Sequence, residues 1–246
     1  MLAYVLVAAL CANEAGGDES LEAFFSAFAE SRNAIERLDA RFVQTTITPD
    51  ESIMSEGSIT YARPKRLIFR YDDPPIVYMI DALNAYEFDP ELEQVQIFQL
   101  EDRPESEAYY LGFENNADQL QDAYTVRILP AEDSDSDARA LEITPKENDE
   151  EAFFEKVTLQ LRDDDYLPIA IRIDNDAESH VQFTVTDFRV NEPADTETTH
   201  INLPEGTVIV QNDVYEGTVG PDGLQLPRAS DALVEAEPLD AEPSAP

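Results

Sequence analysis

Tryptophan is absent, cysteine occurs once, histidine twice and glycine eight times in 246 residues, and 53 acidic residues face only 16 basic ones. Each scarcity removes a class of function. A lone cysteine, Cys11, cannot form an internal disulfide, so no disulfide framework holds this fold. The two histidines, His180 and His200, stand apart among polar neighbours, which leaves nucleophilic catalysis without its usual base. With so few glycines there is no glycine-rich run to cradle a phosphate. A net charge of −37 argues against nucleic acid, whose binding requires Lys and Arg to displace phosphate counterions. It would also repel an anionic bilayer unless the chain were tethered to it.

The acids themselves read as a solvated surface of the kind suited to a salty habitat. Asp163-Asp164-Asp165 sits where a turn between two strands explains it, and its spacing fits no calcium loop. Carboxylate pairs for acid–base work carry no specificity in a chain this acidic. The expectation is no catalytic residue, no metal and no cofactor.

What is present is enough apolar material for a core: 43% of residues, with 12 Phe and 10 Tyr supplying large area. Residues Met1 to Ala12 are almost wholly apolar but far short of the ~20 residues of a membrane span. They resemble a secretory signal that lacks its basic start, with Ala12 a cleavage edge; a buried N-terminal element is the plainer alternative. Cys11, in Ala8-Ala9-Leu10-Cys11, stands close to a lipidation motif, although Leu10 occupies a position where a small residue is expected. Acylation of Cys11, its removal with a signal and an inert thiol all stay open.

From Ser20 to Leu38 the apolar residues Leu21, Phe24, Phe25, Phe28, Ile35 and Leu38 recur at helical spacing. The period then changes to two. Strands are expected at Phe42 to Ile47, Glu51 to Tyr61, Leu67 to Tyr71, Ile76 to Asp81, Ala85 to Asp89 and Leu92 to Gln99. A second series covers Tyr124 to Leu129, Ala140 to Thr144, Phe154 to Leu161, Leu167 to Ile173 and Val181 to Val190. The connections are short, which suits antiparallel hairpins. Between them, Ser106 to Leu120 is expected to form one or two helical turns. The division is a signal-like segment and linker over 1–19, one domain over 20–210, and an acidic, Pro-rich, disordered tail over 211–246.

Several strands are apolar on both faces, notably Leu67-Ile68-Phe69 and Ile76 to Ile80, while others alternate cleanly. Together they describe a curved antiparallel sheet with an apolar concave face and helices to cover it. Periodicity alone favours a face filled by the Phe-rich helix over one that encloses a ligand.

An ordered series of landmarks adds to this: Ala40 to Thr45, Ser55 to Tyr61, Ala62-Arg63-Pro64, the Asp72-Asp73-Pro74 turn, Leu141 to Lys146 and Ile201 to Val208. In this order the chain resembles the LolA family of periplasmic outer-membrane lipoprotein carriers. The resemblance implies an α+β, mainly antiparallel β fold: an incomplete half-barrel of about eleven strands with covering helices as a lid. It implies a monomeric carrier in the periplasm. Such a carrier takes acylated lipoproteins from an inner-membrane lipoprotein-releasing ABC transporter and passes them to an outer-membrane receptor. Arg63 matches the arginine that holds the family's lid closed. Leu67 and Phe69 fall near its apolar rim, and Phe24, Phe28, Val77, Met79, Ile171 and Phe183 complete the expected acyl-chain cavity. A lipid at Cys11 would instead suggest the anchored receptor LolB, and a half-barrel sensor of lipoproteins is a third reading.

Overall fold

In this computed structural model the described residues are 21–100, 124–129, 138–146, 154–193 and 199–227. The Phe-rich segment forms helix α1 (Leu21–Asn33). It stops a turn and a half earlier than its apolar spacing suggests. Ile35 is not helical, and Leu38 belongs to strand β1 (Arg37–Ile47). The reason is tertiary. Asn191, from the far end of the chain, accepts hydrogen bonds from the Glu36 and Arg37 amides and donates to the Ala34 carbonyl. That single side chain turns the backbone from helix into strand.

Strands then follow at nearly every expected place: β2 (Ser52–Ala62), β3 (Arg66–Tyr71), β4 (Val77–Ile80), β5 (Asn84–Asp89) and β6 (Gln94–Gln99). After residues 101–123 come β7 (Tyr124–Leu129), β8 (Ala138–Pro145), β9 (Lys156–Arg162), β10 (Pro168–Asp174) and β11 (His180–Val190). The expected helical turns within 106–120 lie outside the described residues.

Strand content runs further than the composition suggests. Past β12 (Ile201–Leu203) and β13 (Val208–Gln211) lie β14 (Val214–Thr218) and β15 (Leu224–Leu226), inside the stretch from 211 expected to be a disordered tail. Asn212 and Asp213, both with positive φ, make the tight turn that folds β14 back on β13. The remainder of that tail, from 228 on, lies outside the described residues.

Thirteen strands form one sheet in the order β14-β13-β6-β5-β4-β3-β2-β1-β11-β10-β9-β8-β7, and β12 pairs with β15 separately. Every pairing is antiparallel except β13 against β6. The sheet is open, with β14 and β7 at its edges, so the half-barrel is larger than the expected eleven strands, and α1 is the one helix among the described residues.

Its two faces are covered differently. Residues in register across the sheet, from Val126, Ile143 and Leu159 through Ile171, Phe183 and Phe42 to Ile59, Phe69 and Tyr78, share the concave face. Over β7–β10 that face is packed by Phe24, Phe25 and Phe28 of α1. On the opposite, convex face, Ile68, Met79, Tyr86, Phe88, Val95 and Ile97 of β3–β6 lie under Ile201, Leu203, Val219 and Leu226. Arg66 and Arg70 fasten that cover by donating to the Thr199 and His200 carbonyls at 3.3 and 2.7 Å. This explains why β3 and β4 are apolar on both sides: the convex side lies under the C-terminal strands, and the concave side joins the core around Leu38, Phe42 and Leu67.

Candidate functional site

Along the central strands, the concave side chains pass from buried to half-buried in one direction. On β1 the sequence is Leu38, Ala40 and Phe42, then Gln44 and Thr46. On β3 it is Leu67, then Phe69 and Tyr71; on β11, Val185, then Phe183 and Val181. On β2, Tyr61, Ile59 and Gly57 are buried, Ser55 is half-buried, and Ile53 is 48% exposed. The sheet is therefore packed shut at one end. That end holds the Arg63–Lys65 turn, the end of α1, and Ile35, Ile80, Leu100 and Leu167. It opens at the other end, between the turns Thr48–Glu51, Asp72–Ile76 and Asn175–Ser179.

The wall of the open part is aromatic. Phe42 lies 5.8 Å from Phe69, 5.2 Å from Tyr71 and 5.8 Å from Phe183, and Tyr71 lies 5.7 Å from Tyr78, centroid to centroid. Gly57 makes this arrangement fit. A Cβ there would stand 2.6 Å from Phe42 Cζ and closer still to the Arg70 carbonyl oxygen, so only glycine lets the Phe42 ring lie against β2.

Polar groups are set into the same wall. The Tyr71 hydroxyl donates to Gln44 Oε1, and Gln44 Nε2 donates to Thr46 Oγ1 at 3.0 Å. Burial, with Tyr78 nearby, pushes the Tyr71 phenol up to about 12, so it stays a neutral donor. The Tyr78 phenol is also raised, first by burial and then by the carboxylates of Glu87 and Asp89. The rim outside is acidic: Asp50, Glu51, Asp72, Asp73, Asp176 and Glu178 are exposed, and Arg41 is paired with Asp72 at 2.5 Å.

At the closed end α1 is fastened twice. Arg63 donates from Nε to the Ile35 carbonyl at 3.1 Å and from Nη2 to the Arg32 carbonyl at 2.8 Å, which also accepts from the Ile35 amide. Ser31 donates to the Asp165 carbonyl at 2.6 Å, and the buried Arg32 guanidinium reaches the Asp165 and Tyr166 carbonyls while lying 4.7 Å over the Phe28 ring. Burial lowers the Arg32 pKa to about 10, against the pull of Asp165 and Tyr61.

The structure sorts the expected site residues. Phe69, Ile171 and Phe183 converge on the concave wall, and Leu67 sits on the same face at the closed end. Phe24 and Phe28 are on that face too, but packed under α1 against β7–β10 and Tyr166. Val77 and Met79 are corrected: both point to the convex face, beneath the C-terminal strands. Tyr78, between them, faces inward, since it pairs with Phe69, as does Ile80, which pairs with Leu67. Phe42, Gln44, Gly57 and Tyr71 were not expected at the site. The alternation Phe42, Gln44, Thr46 was the one signal available for β1. Among the described residues no group of three or more His, Cys, Asp or Glu is placed to hold a metal, and no helix is long and apolar enough to cross a membrane.

An open, strongly curved antiparallel sheet with an apolar concave face and a helix strapped across it defines a half-barrel binding fold. The chain belongs to the LolA family: the model for outer membrane lipoprotein carrier protein LolA matches residues 33–199. Among curated proteins no sequence matches significantly. Among solved structures the fold is similar to that of an uncharacterized conserved protein from Thermus thermophilus. The two share 8% identity over 78% of this chain and 100% of that one, with a TM-score of 0.51. A putative outer membrane lipoprotein-sorting protein domain from Vibrio parahaemolyticus matches 71% of this chain and 95% of its own at 12% identity and a TM-score of 0.43. A LolA superfamily protein from Nitrosomonas europaea matches 69% and 94% at 13% identity and a TM-score of 0.36.

Proposed function

We propose that this protein is a periplasmic carrier that shelters the acyl chains of lipoproteins against its concave face and catalyses no reaction. The observation that supports this best is the uneven covering of that face. Among the described residues α1 packs β7–β10, while Phe69, Tyr71, Ile171 and Phe183 stay half-buried beside it on a continuous apolar wall. Membership of the LolA family over most of the chain supports the same reading.

The physics suits transport. Each acyl CH₂ removed from water gains about 0.8 kcal/mol, so roughly ten methylenes contribute about 8 kcal/mol. Cargo of this kind would arrive from an inner-membrane ABC transporter and leave to an outer-membrane receptor, so the site must also release it. A helix that has to be displaced uses part of the binding energy and moderates affinity. Arg63, which ties the end of α1 to the β2–β3 turn, is the residue we assign to that control.

Native mass spectrometry of protein purified from a periplasmic extract tests the reading. Co-purifying lipoprotein or lipid, or uptake of a triacylated peptide added afterwards, is the expected result. Protein that stays empty and takes up no acylated peptide would overturn it.

A further inference from the structure

A site for bare hydrocarbon has no use for amides and hydroxyls in its wall, because each costs free energy unless it is hydrogen-bonded. Yet Gln44, Thr46 and Tyr71 stand on the same concave face as Phe42, Phe69 and Phe183, at the level where burial gives way to exposure. Their hydrogen bonds have a direction. Tyr71 reaches from β3 across the bare backbone of Gly57 on β2 and donates to Gln44 Oε1 on β1. Gln44 is thereby held with its amide nitrogen outward, donating one hydrogen to Thr46 Oγ1. A primary amide has a second N–H, and the Thr46 hydroxyl keeps its own hydrogen. Among the described residues neither is taken. The aromatic neck thus presents neutral donors, oriented from behind by Tyr71, facing the open end.

We propose that Gln44 and Thr46, positioned by Tyr71, bind the carbonyl of an ester or amide at the root of an acyl chain. The chain itself lies on the wall of Phe42, Phe69 and Phe183. The inference rests on the carrier reading and adds to it a polar register that sets how deep an acylated cargo sits. It also predicts which amphiphiles the site prefers: those with an acyl carbonyl over those with an alkyl ether of equal length. The rim of Asp50, Glu51, Asp72 and Asp73 then meets whatever head group follows, and disfavours an anionic one.

Two fluorescent peptides test this on the full chain. They have one sequence, but one carries its hexadecyl chain as a palmitoyl ester and the other as a hexadecyl ether. The wild type is expected to bind the ester roughly tenfold more tightly, the worth of one well-made hydrogen bond. Gln44→Leu and Tyr71→Phe are each expected to reduce that preference to within about twofold, whatever either change does to affinity for the ether. An ester-to-ether ratio that is near unity in the wild type, or unchanged in both variants, overturns the proposal and leaves Tyr71 and Gln44 as a cross-strand brace. A lowered melting temperature with the same ratio has that meaning as well. If neither peptide binds, the carrier reading falls together with it.

Discussion

At the scale of single residues, the site depends on positions whose chemistry is inconspicuous. Gly57 has no side chain, yet it allows the Phe42 ring and the Tyr71 side chain to share the space above β2. Gly57→Ala drives a methyl into the Arg70 carbonyl oxygen, a backbone atom that cannot move far, so a loss of about 1–3 kcal/mol in urea unfolding is expected. Asp39 plays a comparable part on the convex face. Burial works against its charge, but bonds from Arg37 at 2.7 and 2.9 Å and from Thr60 at 2.8 Å outweigh it and hold the carboxyl below its ordinary range. A lowered folded-state pKa contributes stability above the unfolded value, near about 3.9, and loses it as pH falls through the folded one. The stability difference between wild type and Asp39→Asn should be constant from about pH 7 to 5 and shrink below about pH 4. A difference that grows in acid would contradict this assignment.

At the scale of elements, α1 is the helix to which the carrier proposal assigns control of release. Its Phe face is fully packed, but its end is held by side-chain bonds to carbonyls: Arg63 to Arg32 and Ile35, Ser31 and Arg32 to the 163–166 turn. Removing two of them in Arg63→Leu should leave the sheet intact and speed amide exchange in residues 21–33 by roughly tenfold. Exchange in β1, β2 and β11 should not change, and release of an acylated peptide should become faster. Equal exchange in α1 of both proteins would refute the latch. The C-terminal strands are the second covering element, and their absence from the sequence-based expectation has a cause. Ile201, Leu203, Val219 and Leu226 are too few and too spread out to give a period, and they gain meaning only against Ile68, Met79 and Val95.

At the scale of the whole molecule, a net charge of −37 makes self-repulsion a general cost of folding. Raising NaCl from about 0.01 to 1 M shortens the screening length from about 30 to 3 Å. A rise in Tm of roughly 5 °C or more is expected across that range. A flat or falling profile would show that the acids are already neutralised by pairing. Asp50, Glu51, Asp72, Asp73, Asp176 and Glu178 lie on the turns at the open end, so the same change should alter binding of a charged head group more than binding of the chain itself.

The sequence by itself determined most of what this protein is made of, and its two isolated histidines, few glycines and few cations set the expectation of binding rather than catalysis. Period-two runs marked β2 to β11 within about two residues of their observed limits and the later part of β1, and Leu21 to Phe28 announced the helix face that packs the sheet. The direction each strand faces was decided by the tertiary structure. Alternation divides a strand into two sets of side chains without saying which set is inside, and in β4 both sets are apolar. Register with β3 turns Tyr78 toward Phe69 and the concave wall, and the C-terminal strands bury Val77 and Met79 on the other side. The same holds for Gln44 and Tyr71, 27 residues apart. Only the pairing of β1, β2 and β3 around Gly57 brings them into one hydrogen bond, at the point where an apolar wall turns polar.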